Sequence, residues 1–130
     1  MTFDLEFGDV DRDGDLDLVL AVQPEPQLAT PGGTDQLYLN NGAGVFTPDA
    51  AYAAMAWNEA FTDTRGVELG DVNRNGTLDV FVAISDTASV LGTSGEQNRL
   101  LFGNGAGGFT DVTATNLPVL NDNSQDVELV

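Results

Sequence analysis

The 130-residue chain reads as all-β on three observations. Fifteen glycines and five prolines supply frequent turns. Short apolar runs have the length and alternation of strands rather than of helices. Whole blocks of sequence also recur in a fixed order, the mark of a tandem-repeat architecture. Gly8–Val22 (GDVDRDGDLDLVLAV) returns 62 residues later as Gly70–Ile84 (GDVNRNGTLDVFVAI). Asp35–Thr47 returns 63 residues later as Asn98–Thr110. The lead-in Asp4-Leu5-Glu6-Phe7 returns as Gly66-Val67-Glu68-Leu69 and once more as Asp126-Val127-Glu128-Leu129.

Each unit resolves into four short strands. Strand A alternates, with Phe3, Leu5 and Phe7 on one face and Asp4 and Glu6 on the other. Strand B is almost wholly apolar (Leu16 and Leu18–Val22; Leu78 and Val80–Ile84), as expected of a strand buried on both faces. Strand C is Leu37–Leu39 or Leu100–Phe102, and strand D carries Phe46 or Phe109. An Asn-Gly-Ala-Gly turn joins C to D, with residue types that accept positive φ. A four-stranded up-and-down unit in tandem makes a blade of a β-propeller, since a repeated single sheet needs neighbours to bury both faces; two sheets of a sandwich are the alternative. The expected layout is blade 1 over residues 1–65 and blade 2 over 66–130, the latter ending in the first strand of a third blade.

Charge is the extreme feature of the composition. Twenty-one Asp and Glu face four Arg and no Lys, a formal net charge of −17. That balance repels nucleic acid and anionic membranes, and bound cations would relieve it. With no Cys there is no disulfide, thiolate metal site or cysteine nucleophile. With no His, the usual general base and transition-metal ligand are missing, so a metal must be hard and oxygen-bound. No apolar run approaches the length of a membrane span. Met1 leads straight into strand-like sequence without a signal peptide, which suggests a cytosolic chain or a piece of a longer secreted one.

Between strands A and B lies the motif that carries chemistry. Asp9, Asp11, Asp13, Gly14, Asp15 and Asp17 fit D-x-D-x-D-G-x-x-D. Positions 1, 3 and 5 put carboxylates on one side of a tight loop, the Gly permits the turn, position 7 offers its carbonyl, and Asp17 closes the shell. The spacing matches the first half of an EF-hand loop without its position-12 Glu or flanking helices. Packed carboxylates without a cation repel one another strongly. The second loop, Asp71, Asn73, Asn75, Gly76, Thr77 and Asp79, keeps the spacing and replaces two carboxylates with amides. Two calcium sites are expected, the first tighter because affinity rises with ligand charge.

These two loops, with the hairpins Leu37–Phe46 and Leu100–Phe109, make the chain similar to the FG-GAP/VCBS-type repeats of integrin α-subunit-like propellers and related bacterial secreted proteins. The resemblance implies structural calcium loops that brace the A–B turn, and a secreted or cell-surface parent protein. Two blades fall short of closure, which takes about four or more. The chain is therefore expected either to form a ring of identical copies, three or four rather than two, or to complete a larger propeller. The extra strand at Asp126–Val130 is expected to add to, or swap into, a neighbouring chain.

Strand parity places the calcium loops and Asn-Gly hairpins at one end and the long connections at the other, where binding usually sits. These are Gln23–Gln36 and Ser85–Arg99 between strands B and C, and Pro48–Arg65 and Asp111–Gln125 after strand D, the last two being the first and second connections between blades. The second connection has no aromatic, and the first contains Tyr52, Met55, Trp57 and Phe61. They read first as packing and second as an anchor for a protein or glycan ligand. Catalysis is not expected. Glu6, Glu68 and Glu128 are repeat-equivalent and so architectural, and no spacing supports a glycosidase pair among Glu25, Glu59 and Glu96. The expected function is a calcium-binding, extracellular binding or adhesion scaffold. The alternatives are a structural or engineered propeller piece that self-assembles into a closed ring and a carbohydrate-binding or carbohydrate-active propeller.

Overall fold

The computed structural model describes residues 2–23, 34–58, 62–85 and 96–129. Glu25, Glu59, Phe61 and Val130 fall outside them. In chain order the elements are β1 (Thr2–Gly8), β2 (Asp17–Val22), β3 (Gln36–Asn40), β4 (Phe46–Pro48), α1 (Ala50–Ala53), β5 (Asp63–Gly70), β6 (Asp79–Ser85), β7 (Glu96–Gln97), β8 (Arg99–Gly103), β9 (Phe109–Asp111), α2 (Thr113–Asn116) and β10 (Asn121–Asp122). Two four-stranded antiparallel sheets result, ordered β1-β2-β3-β4 and β5-β6-β8-β9, each an up-and-down blade. The short β7 and β10 pair as a separate ribbon. The four-residue helices were not legible as such. Asp49 caps the first, its carboxylate accepting the Tyr52 amide at 2.7 Å.

The core lies between the blades. Val19, Ala21 and Leu37 from blade 1 meet Val67, Val80, Val82, Ile84 and Leu101 from blade 2. Tyr52 and Trp57 join them from the first connection, their rings edge to face at 6.3 Å, and Tyr52 meets Phe109 of blade 2 edge-on at 5.8 Å. The aromatic cluster therefore works first as packing between blades.

Strand B departs from expectation in one copy. In β6 every residue but Phe81 is buried, whereas β2 alternates buried and half-buried. The reason is position. Blade 1 covers one face of blade 2, and no blade covers the equivalent face of blade 1. Leu5 and Phe7 are 47% and 51% exposed there, while Val67, the counterpart of Leu5, is 2% exposed. Register places Leu18 opposite Phe7 and Leu20 opposite Leu5 on this open face.

Glycines set how closely the blades approach. A Cβ on Gly8 would lie 2.7 Å from Leu69 Cδ1 and 2.8 Å from Leu78 Cδ1, so blade 2 seats two leucines on bare backbone. At Gly70 the same place is taken by Leu129 Cδ1, 2.8 Å from a would-be Cβ. The third copy of the strand A sequence thus lies on blade 2 as strand A of blade 2 lies on blade 1. Its described residues, Asp126–Leu129, belong to no sheet.

Candidate metal centre

Both A–B loops sit at one end of the molecule beside the C–D hairpins. The Asn40 side-chain amide donates to the Leu16 carbonyl at 3.1 Å, Asp15 reaches Gly42, and the Gly107 backbone amide donates to the Val10 carbonyl across the blade junction at 3.4 Å. Each loop turns through two positive-φ residues, Arg12 (65°) and Gly14 (94°), or Arg74 (60°) and Gly76 (85°). Glycine tolerates this conformation freely and arginine at modest cost. Arg12 also bridges the blades, its guanidinium donating to the Gly76 carbonyl of the second loop.

In the first loop, oxygens of Asp9, Asp11 and Asp17 converge to within 4.8 Å of one another. The first oxygen of Asp9 is buried with no hydrogen-bond partner, while its second accepts the Gly14 amide at 3.1 Å. Burial raises the Asp11 carboxyl above its ordinary range, opposed by the Asp13 amide and reinforced by Asp17, Asp13 and Asp9. Asp13 and Asp15 are not among the three that converge; Asp13 is exposed and accepts the Asp15 amide at 2.9 Å. Three converging carboxylates, one of them with a buried unpartnered oxygen, suit a hard divalent cation, which would neutralise the cluster and brace the turn.

Asp17 has a second role that spacing could not reveal. It is fully buried, and its two oxygens accept the Val10 amide and the Asn40 amide, each at 2.9 Å. It therefore pins the loop to strand C of the same blade. Asp79 repeats the pin, accepting from Val72 and Gly103 at 3.1 Å each.

The second loop is drawn shut by its own amides. Asp71 accepts from Asn75 at 2.9 Å and from Gly76 at 2.8 Å, Asn73 accepts from Asn75 at 2.9 Å, and Asn75 accepts from Thr77 at 2.8 Å. The Thr77 hydroxyl lies within hydrogen-bond distance of the Gly103 carbonyl at 2.9 Å and of the Asn75 side-chain oxygen at 2.6 Å, tying this loop to strand C of blade 2.

A buried acid away from the loops joins the blades. Asp35, 2% exposed, accepts the Val22 amide at 2.7 Å and the Thr64 hydroxyl of blade 2 at 2.8 Å. Burial pushes its carboxyl up to about 6, with the two hydrogen bonds pulling the other way. The repeat-equivalent Asn98 accepts the Ile84 amide at 2.9 Å and donates to the Ser124 hydroxyl at 2.7 Å. Amide and carboxylate thus serve the same latch. The folded chain holds the Asp35 proton more tightly than the unfolded chain, so this residue's contribution falls as pH rises from about 4 to about 6 and stays low above that. Asp35→Asn is expected to stabilise by roughly 2 kcal/mol at pH 7 and by almost nothing at pH 4. Urea melts at both pH values check this, and an equal gain at both, or a loss at pH 7, would refute it.

At the opposite end a cleft opens between the first connection and blade 2, lined by Trp57, Thr62, Glu96, Gln97, Arg99 and Asn121. The Trp57 ring nitrogen and the Arg99 Nε are buried without a hydrogen-bond partner. Glu6 and Glu68 occupy equivalent places on adjacent A strands, and burial, then the Glu68 and Asp4 charges, raise the Glu6 carboxyl. No helix among the described residues is long and apolar enough to cross a membrane.

A family model described as an FG-GAP-like repeat matches residues 9–82, from the first loop through most of β6. No curated protein matches the chain.

Proposed function

Because the chain belongs to the FG-GAP-like repeat family, we propose that it is a calcium-binding propeller module whose ion-braced loops hold a binding or adhesion scaffold outside the cell. The observation that carries this reading is the convergence of Asp9, Asp11 and Asp17 on a buried, unpartnered Asp9 oxygen. Asp13, Asp15, Asp71, Asn73, Asn75, Thr77 and Asp79 complete the two proposed ligand sets. Calcium is favoured over magnesium because a flexible cage of carboxylates and carbonyls suits the larger ion. Binding fits the chain better than catalysis, since it has neither His nor Cys.

Calorimetric titration of metal-free protein with calcium tests the reading, with two binding events expected and the Asp9 loop tighter by about tenfold or more. Asp11→Ala should remove the tighter event and Asn73→Ala the weaker, while Asp13→Asn narrows the gap. These positions separate the two loops better than Asp17 and Asp79, which also hold the fold. A titration without heat would sink calcium binding. Equal or reversed affinities would show that loop closure outweighs ligand charge.

A second reading rests on the cleft. An indole, a guanidinium and several amides round an open space suit the hydroxyls and apolar face of a sugar, which supports a carbohydrate-binding role at the long-loop end.

A further inference from the structure

We propose that the open face of blade 1 is the docking surface for a second copy of this chain, which presents the outward face of its blade 2, and that residues 126–129 of each copy cover that blade 2 face until a blade 1 arrives. This goes beyond calcium binding and rests on different residues. The template is the junction inside the chain. Val67, Leu69, Leu78 and Phe109 carry blade 2 onto blade 1, one buried and three packed against the core. Their repeat counterparts on blade 1 are Leu5, Phe7, Leu16 and Phe46, exposed at 47%, 51%, 56% and 39%. The apolar chemistry is the same and only the cover is missing. Apolar side chains exposed together in this way mark an interface.

The outward face of blade 2 carries the complementary features. Gly70 is the counterpart of Gly8, the bare backbone on which Leu69 and Leu78 rest. Leu129 alone approaches within 4 Å of a would-be Cβ there, so it fills the place of one leucine and leaves the other free. In a second copy Phe7 and Leu16 are the side chains equivalent to those two leucines. Val119 and Leu120, 80% and 60% exposed, lie on the second connection, the counterpart of the one that sends Tyr52 onto Phe109. Arg74, exposed here, is the counterpart of Arg12 and would donate to Gly14 of the next chain as Arg12 donates to Gly76.

Both Leu129 and the incoming Phe7 need the seat at Gly70, so one must leave. β1 is hydrogen-bonded along β2 and continues into the Asp9 loop, whereas residues 126–129 pair with no strand. The tail therefore yields. Two different faces meet head to tail, so repeated association closes a ring, with about two to four copies covering the four to eight blades of known propellers.

Light scattering coupled to size exclusion, on the full chain in calcium across a concentration series, tests this. Mass should rise with concentration in multiples of the single chain. Leu129→Ser should shift that rise to about tenfold lower concentration, because it removes an apolar competitor. Leu5→Lys should hold the chain at single mass, while Thr47→Lys, at a position exposed in both repeats (Thr110 stays exposed at the internal junction), leaves association unchanged. Circular dichroism confirms that each variant keeps its sheets. A full chain and a Leu129→Ser variant that both stay single would overturn the proposal. So would association that survives Leu5→Lys. Weaker association of Leu129→Ser would show that the tail is a clasp between copies rather than a plug.

Discussion

Asp17→Ala is expected to destabilise the fold by about 3–5 kcal/mol, in chelator as well as in calcium. The Asp17 carboxylate is fully buried and accepts two amides, from Val10 and from Asn40. Alanine leaves both donors unsatisfied, at about 1.5–3 kcal/mol for each bond to a charged group. Relief of repulsion among the remaining carboxylates offsets part of this when the loop is empty. Chemical denaturation in EDTA isolates the pin from the ion. A variant as stable as the parent in EDTA, yet weaker in calcium, would reduce Asp17 to a ligand alone. Asp11→Ala is the contrasting control. Asp11 accepts only the Asp13 amide, within the same loop, so its loss should be felt chiefly when calcium is present.

The second large effect is that of the ion itself. Under the proposed function, calcium at about a hundredfold excess over the Kd of one site is expected to contribute about 2.7 kcal/mol, as a ligand of the folded loop and not of the unfolded chain. For a domain of this size that corresponds to roughly 10 °C in melting temperature, with more if the second loop also fills. The carboxylate cluster makes the direction clear, since it is repulsive when empty and attractive round a cation. EDTA should reverse the shift fully. Thermal melts that superimpose with and without calcium would refute it, and an equal shift with magnesium would show that general charge screening, not a fitted cage, is responsible.

The parts of this molecule that were legible in sequence are those set by local chain geometry. Carboxylates at alternate positions before a glycine declare a loop because three to nine residues decide where their oxygens go. The strands declared themselves through repetition, and strand A through its alternation. What sequence could not declare depends on partners far along the chain. The second duty of Asp17 comes from Asn40, 23 residues away, and the latch at Asp35 comes from Thr64, 29 residues away. Alternation in β1 sorted Leu5 and Phe7 onto one face without saying that this face stands open, because coverage belongs to the neighbouring blade. Nor could spacing show that Asn75 and Asn73 spend their side-chain oxygens on loop amides, since that is settled by the backbone turn at Gly76.

The latch between blades has a consequence for how such chains grow. Asp35 reaches forward to Thr64, and Asn98 reaches forward to Ser124, so each unit carries the donor or acceptor that its successor needs. Every unit is at once a socket for the next and a plug for the last. Duplicating a whole unit in the gene therefore leaves this latch matched at every junction. The partnership is also chemically lenient, since an acid with a threonine and an amide with a serine both satisfy it. A lineage of such chains can thus lengthen or shorten by whole units while individual latch residues drift.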